Sequence, residues 1–87
     1  MNWFVSHARR LRYELQLKRG VPVTIREVAE SIEEDRRVIM AIEANKLDKV
    51  RFGQVMKLAN YYREQGLNAE KMMEYGENIT IPVLVLA

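Results

Sequence analysis

One stretch of the chain, residues 24–43, constrains the fold more than any other. Its first residue, Thr24, precedes Glu27 by three positions. This is the spacing of a capping box, in which each side chain bonds the backbone amide of the other residue. Val23 and Val28 stand at the two positions of a hydrophobic staple, which packs the entering chain against the helix. Because these signals agree, the sequence predicts that a helix begins at Thr24.

A second short helix follows after a tight turn made by Glu33, Glu34 and Asp35. Asp35 is a favourable N-cap, and its negative charge suits the positive end of the helix dipole. Ile39 and Ile42 are three residues apart, which predicts the side of this helix that faces the core. The opposite side carries Arg36, Arg37, Met40, Ala41 and Ala44.

Three further helices are predicted around this pair. The first runs from a cap at Ser6 to about Arg19 and ends at Gly20. The fourth spans residues 52–65, and a short fifth helix spans residues 68–75, where the first residue is an asparagine that can cap it. The core positions predicted for the fourth helix are Phe52, Val55, Met56, Leu58, Ala59 and Tyr62.

The C-terminal run, residues 79–86, is β-branched and apolar, which predicts a strand. Pro82 has no amide N–H, so it favours an edge position. A single strand is not stable alone. Its partner could be the apolar residues 3–5, the chain's own helices, another protein that takes the strand by edge addition, or the same strand of a second copy. We favour the second copy, with a dimer contact made by Ile79, Ile81, Val83, Leu84, Val85 and Leu86.

The predicted fold class is therefore all-α, with five helices and one C-terminal β-strand that pairs across a dimer. Residues 1–78 would form the helical domain, and residues 79–87 would form the apolar strand that binds a second copy or a partner. A chain of 87 residues is long enough for one small domain.

The composition gives little support for catalysis. The chain has no cysteine, a single histidine, and four glycines that are scattered rather than grouped in a phosphate-binding loop. We therefore expect no enzymatic activity, no metal site and no cofactor.

The longest apolar run, residues 81–87, is too short to cross a bilayer, and the N-terminus lacks the apolar core of a signal peptide. We expect a cytoplasmic protein that has no membrane partner.

Recognition of double-stranded DNA fits the sequence better than catalysis does. Two short helices joined by a tight turn, with an arginine pair at the start of the second, are typical of a helix-turn-helix unit. An arginine fork can bond two acceptors of a guanine, and an apolar side chain can contact a thymine methyl group. We expect base contacts from Arg36, Arg37, Met40 and Ala41. Phosphate contacts are expected from Arg26, Asn45, Lys46, Lys49 and Arg51.

A plainer interpretation of the arginine pair is also open. Ion pairs between residues three or four positions apart are common on helices. Arg36 and Arg37 would then only offset the acidic residues that precede them, Glu33, Glu34 and Asp35.

Four segments in order resemble the Cro/C1 (XRE) family of helix-turn-helix DNA-binding domains. They are LRYELQLKRG, TIREVAESI, DRRVIMAIEANK and FGQVMKLANYY. Within them, Ala29 matches the small residue where the two motif helices touch, Ile39 and Ile42 match the inward pair, and Glu43 matches the acidic residue that often ends the recognition helix. The resemblance implies a homodimer on a two-fold operator, acting most often as a repressor. It also implies a C-terminal strand that pairs across the dimer, as in Cro proteins.

The chain departs from the family pattern in the turn of the motif. Glu33 stands where a glycine is usual, so we expect either another turn conformation or a strained backbone at this residue. Ile25 replaces the polar residue that usually bonds a phosphate at the start of the first motif helix.

The sequence also allows a second function, in which the chain is an antitoxin or another interaction module and its apolar tail binds a partner protein such as a toxin.

Overall fold

The computed structural model describes residues 4–70, 72–75 and 79–80, and its fold is mostly helical. In this described part, no helix is both long enough and apolar enough to span a bilayer. The elements in chain order are β1 (Phe4–Ser6), α1 (Ala8–Arg19), α2 (Ile25–Ser31), α3 (Arg36–Glu43), a short 3-10 helix (Leu47–Lys49), α4 (Phe52–Glu64), β2 (Met73–Tyr75) and β3 (Ile79–Thr80).

Apolar faces of the four helices meet in one core. The inward positions predicted for the motif helices are confirmed, because Val28, Ala29, Ile39 and Ile42 are all buried. The predicted staple residue Val23 is buried as well. From the other helices, the core receives Ala8, Leu11, Leu15, Val55, Leu58, Ala59, Tyr61 and Tyr62.

The prediction that Phe52 belongs to the core is wrong. Its side chain is half exposed. It occupies the first position of α4, while the buried stripe of this helix begins at Val55, one turn further along. The periodic spacing therefore identified the buried face of α4 correctly but placed the first buried residue one turn too early.

The predicted fifth helix, residues 68–75, is also wrong. Asn68 does act as a local cap, since its Oδ1 accepts the Glu70 amide at 3.2 Å, but only a turn follows. The His7 amide then donates to the Met72 carbonyl at 2.7 Å. From this point β2 pairs antiparallel with β1, which is close to it in space although it lies at the other end of the sequence. Pairing with a distant strand therefore overrides the local helical pattern.

The beginning of the predicted C-terminal strand forms in the structure as β3. It pairs antiparallel with β2, with Tyr75 opposite Ile79, in a sheet of order β1-β2-β3. β1 and β3 thus share a sheet but are not direct neighbours. Of the residues predicted to form a dimer contact, Ile79 lies in β3, and the rest lie outside the described residues, as does Trp3: Ile81, Val83, Leu84, Val85 and Leu86.

Tyr62 carries a polar group into the apolar core. The Tyr62 side chain is fully buried, and its hydroxyl has no hydrogen-bond partner within the described residues. Burial raises the pKa of this hydroxyl above its usual value. The Tyr61 ring packs edge-on against the Tyr62 ring, with centroids 5.3 Å apart. The ring of Tyr62 therefore fills the core, while its hydroxyl adds a desolvation cost.

We expect Tyr62→Phe to leave the free energy of unfolding unchanged or to raise it by about 1 kcal/mol, because it removes an unpaired buried hydroxyl. The variant should gain most above about pH 10, where an unfolded tyrosine ionises. Because folding raises the pKa of Tyr62, the wild-type chain loses stability progressively as the pH rises from the unfolded pKa towards the folded one. Urea unfolding at pH 7 and at about pH 10.5 measures both effects, because the higher pH lies just above the ordinary pKa of a tyrosine.

Tyr13→Phe is the control for this prediction, since the Tyr13 side chain is half exposed. Removing this exposed hydroxyl should change the free energy of unfolding little. A loss of more than about 1 kcal/mol in Tyr62→Phe at neutral pH would show instead that the Tyr62 hydroxyl is hydrogen-bonded.

Candidate nucleic-acid interface

The start of α3 is set by its own cap. Asp35 has an extended backbone, and its Oδ1 accepts the Arg37 amide at 2.8 Å, as predicted from the sequence. The buried Ile39 and Ile42 fix the rotation of α3 against the core. This rotation leaves Arg36, Arg37, Met40 and Ala44 exposed, with Ala41 partly covered.

The exposed side of α3 forms one continuous shallow surface, which we call the α3 surface. Its first half is a groove between the N-terminal ends of α2 and α3, and this groove is lined by Thr24, Ile25, Arg26, Asp35, Arg36, Arg37 and Met40. Its second half is a hollow lined by Arg37, Met40, Ala41, Ala44 and Lys46. Arg37 and Met40 belong to both halves. The four predicted base-contacting residues therefore lie together, with Arg26 near one end and Lys46 near the other.

The other predicted phosphate-contacting residues are placed differently. Lys49 ends the 3-10 helix and Arg51 precedes α4, and both are exposed but do not line the α3 surface. Asn45 is partly buried at φ +62°, and its Oδ1 accepts the Ser6 amide at 2.9 Å. The side-chain oxygen of Asn45 thus joins the end of α3 to β1. Arg26 is exposed and pairs with Glu30 on the same helix at 3.2 Å.

The turn between α2 and α3 closes in the manner of a Schellman motif, which is the usual ending for a helix that has a left-handed residue after it. The Glu33 amide bonds the Glu30 carbonyl, and the Glu34 amide bonds the Ala29 carbonyl at 3.0 Å. Glu33 takes the left-handed position with φ +56°. The strained backbone that was expected as one of two possibilities for Glu33 is therefore present.

The acidic residues of the turn do not all face the α3 surface. Glu34 turns onto α4, where its carboxylate accepts from Lys57 Nζ at 2.7 Å and from Gln54 Nε2 at 3.0 Å. These bonds lower the pKa of Glu34. Asp35 bonds the guanidinium of Arg37, which lowers the pKa of Asp35. Two of the three negative charges are therefore paired with positive ones.

Replacing Glu33 with glycine should raise the free energy of unfolding by about 1 kcal/mol. A residue with a Cβ at positive φ has a steric cost of roughly 1–2 kcal/mol, which glycine avoids, although glycine orders more backbone on folding. Urea unfolding measures the gain. Glu33→Ala is the matched control, because it removes the same charge but keeps the Cβ. Equal gains for the two variants would attribute the effect to charge and not to the backbone.

The far end of α3 is held by a buried ion pair that the sequence did not reveal. Arg12 Nε lies 2.7 Å from Glu43 Oε2 and Arg12 Nη2 lies 3.0 Å from Glu43 Oε1, while Arg12 Nη1 donates to the Val23 carbonyl at 2.9 Å. The Glu43 side chain is only 2% exposed, and that of Arg12 is 12% exposed. Arg9 adds a longer contact of 3.6 Å to Glu43. α1 is thereby joined to both α3 and the connector before α2.

A signal for this ion pair was present in the spacing of α3. Ile39, Ile42 and Glu43 occupy positions i, i+3 and i+4, which lie on one helix face. The apolar stripe thus ends on a carboxylate, and a buried carboxylate requires a positive partner. Identifying Arg12 as that partner needed the tertiary structure.

No protein-family model matches the chain, and comparisons with curated proteins and with solved structures find no significant match either.

Proposed function

We propose that the chain is a sequence-specific binder of double-stranded DNA that acts as a small transcriptional regulator, most often by repression. The observation that supports this most is the α3 surface, an exposed helix side that presents two arginines and a methionine between two flanking basic residues. α2 and α3 serve as the helix-turn-helix unit of a Cro/C1-type domain.

The dimensions of α3 suit the major groove. With its side chains, an α-helix such as α3 is about 10–12 Å in diameter, and the major groove is about 12 Å wide. Arg36 and Arg37 lie at the N-terminal end of the helix, which in such units contacts the base edges. Met40 lies one turn further on, where its apolar side chain can contact a thymine methyl group.

Phosphate contacts come from the basic residues around this helix. Arg26 lies at the start of α2, Lys46 follows the end of α3, and Lys49 and Arg51 follow along the chain before α4. Such contacts fix the position of a protein on DNA and make its affinity fall with salt. The compensated charges of Glu34 and Asp35 limit the repulsion that the acidic turn exerts on the DNA backbone.

A two-fold symmetric dimer completes the proposal. β3 lies at an edge of the sheet, and the apolar sequence that follows it, residues 81–86, offers further strand-forming residues. Pairing between two copies at this strand would produce an isologous contact. Two recognition helices would then read half-sites about 34–36 Å apart.

Selection of bound DNA from a random pool tests the proposal. We expect a palindromic sequence with half-site centres about 10–10.5 base pairs apart, and light scattering should show a dimer for the lone protein. An unenriched pool would refute DNA recognition. A monomer or aggregate that enriches no DNA would instead favour an interaction module that binds a partner protein through its tail.

A further inference from the structure

The carboxylate that caps α3 also holds a side chain of the α3 surface. Arg37 Nε donates to Asp35 Oδ1, and Arg37 Nη2 donates to Asp35 Oδ2, both at 3.2 Å. Asp35 Oδ1 also accepts the Arg37 backbone amide. The carboxylate therefore binds the edge of the planar guanidinium that carries Nε and Nη2. Its hydrogen bond from the Arg37 backbone amide holds the carboxylate in place.

The end edge of the same guanidinium remains available. A guanidinium has five N–H donors, and the two bonds to Asp35 use one on Nε and one on Nη2. Both donors on Nη1 and the second donor on Nη2 are left. One N–H from each of these nitrogens forms a parallel fork, which is the arrangement that bonds O6 and N7 of a guanine. The Arg37 side chain is 88% exposed, so this fork is accessible.

Arg36 is in a different situation. It is also exposed, and within the described ranges its side chain interacts with Asp35 at longer range, without a hydrogen bond or ion pair that would orient it. An arginine that is already oriented loses less side-chain freedom when it binds than one that is not. The two neighbouring arginines are therefore not equivalent, although the sequence alone does not distinguish them.

We propose that Asp35 is a positioning residue for base recognition, because it orients Arg37 so that its free fork meets a guanine. Arg37 then makes the more selective of the two arginine contacts, and Arg36 makes the less selective one. This inference rests on the proposed function, and it names the base and the residue that determine specificity at the α3 surface.

Asp35→Asn is the variant that separates positioning from capping. Asparagine caps a helix about as well as aspartate does, so the melting temperature should change little. It cannot accept both guanidinium bonds, since one carboxylate oxygen is replaced by a donor. Arg37→Ala identifies the base pair that Arg37 contacts, because the variant should lose its preference for one base at that position of the selected DNA site. At this position, Asp35→Asn should reduce the preference for guanine by at least about fivefold.

The affinity for random DNA should not fall together with the guanine preference. Asp35→Asn removes a negative charge near the phosphates, so this affinity should stay the same or rise. A purely structural role for Asp35 would lower specific and random binding together, along with the melting temperature. Glu33→Gln is the matched control, because it removes one charge from the same turn and leaves the Asp35–Arg37 contact in place. It should keep the guanine preference of the wild type.

A double-mutant cycle decides whether Asp35 acts through Arg37. In the Arg37→Ala background, Asp35→Asn should cause no further loss of guanine preference. An unchanged preference in Asp35→Asn alone, or an equal loss in both backgrounds, would overturn the inference while leaving DNA recognition intact. A wild-type chain that selects no DNA sequence would overturn both proposals together, so the two failures are distinguishable.

Discussion

Glu43→Ala is expected to lower the free energy of unfolding by about 3–5 kcal/mol, the loss that follows when one partner of a buried ion pair is removed. Arg12 would keep its charge in a site where its side chain is only 12% exposed. The main cause that raises the pKa of Arg12 is its hydrogen bond with Glu43, so the guanidinium stays charged in the folded chain. Since small domains have a total stability of about 5–15 kcal/mol, this loss is a large share of the total, and the melting temperature should fall strongly.

Two controls isolate the cause of this loss. Arg12→Met combined with Glu43→Leu removes both charges and should cost much less than Glu43→Ala, because apolar pairs often replace buried ion pairs with little loss. Glu14→Ala breaks the exposed pair between Arg10 and Glu14 on α1 and should change stability by about 0.5 kcal/mol or less. Urea unfolding measures all three. A loss in Glu43→Ala no greater than that in Glu14→Ala would contradict a structural role for the buried pair.

Replacing Arg36 and Arg37 together with alanine should remove most specific DNA binding while leaving the fold intact. Each base-contacting arginine contributes about 1–3 kcal/mol of discrimination. Both side chains are exposed, and the capping carboxylate of Asp35 remains, so the melting temperature should change little. Titration of the selected site and of a scrambled site, at several salt concentrations, separates the specific loss from the general one.

The control for the arginine variant must remove the same amount of charge elsewhere. Arg10→Ala combined with Arg63→Ala does so, because both side chains are exposed and neither lines the α3 surface. This control should weaken binding to the selected and scrambled sites alike. Specific binding at full strength by the Arg36→Ala and Arg37→Ala protein would end the assignment of α3 as a recognition helix.

The features that the sequence predicted correctly are those determined by neighbouring residues. The Thr24 hydroxyl accepts the Glu27 amide at 3.1 Å, and the Asp35 carboxylate caps α3, because a cap needs only the next turn of the same chain. The burial of Ile39 and Ile42 follows likewise from local periodicity. For the same reason, the arginine pair could be placed on the exposed side of its helix.

The features that the sequence did not predict depend on residues far apart in the chain. Glu27 turns to an ion pair with Arg19 on α1, although the capping box predicted a bond back to Thr24. Glu34 likewise bonds Lys57 on α4, a partner 23 residues away that the spacing of the turn does not indicate. A pattern of spacings does not specify which distant side chain will approach. The same limit explains why β2 was predicted as part of a helix.

The position of the sheet has a consequence for the order in which this chain folds. Phe4 pairs with Tyr75, so this contact closes a loop that contains nearly the whole described chain. Closing a long loop of unfolded chain has an entropic cost, and contacts between distant residues slow folding. Packing of α1 to α4 shortens the distance that remains to be closed. The α3 surface would therefore form before β1 pairs with β2, and a nascent chain would carry a folded α3 before its first strand could join the sheet.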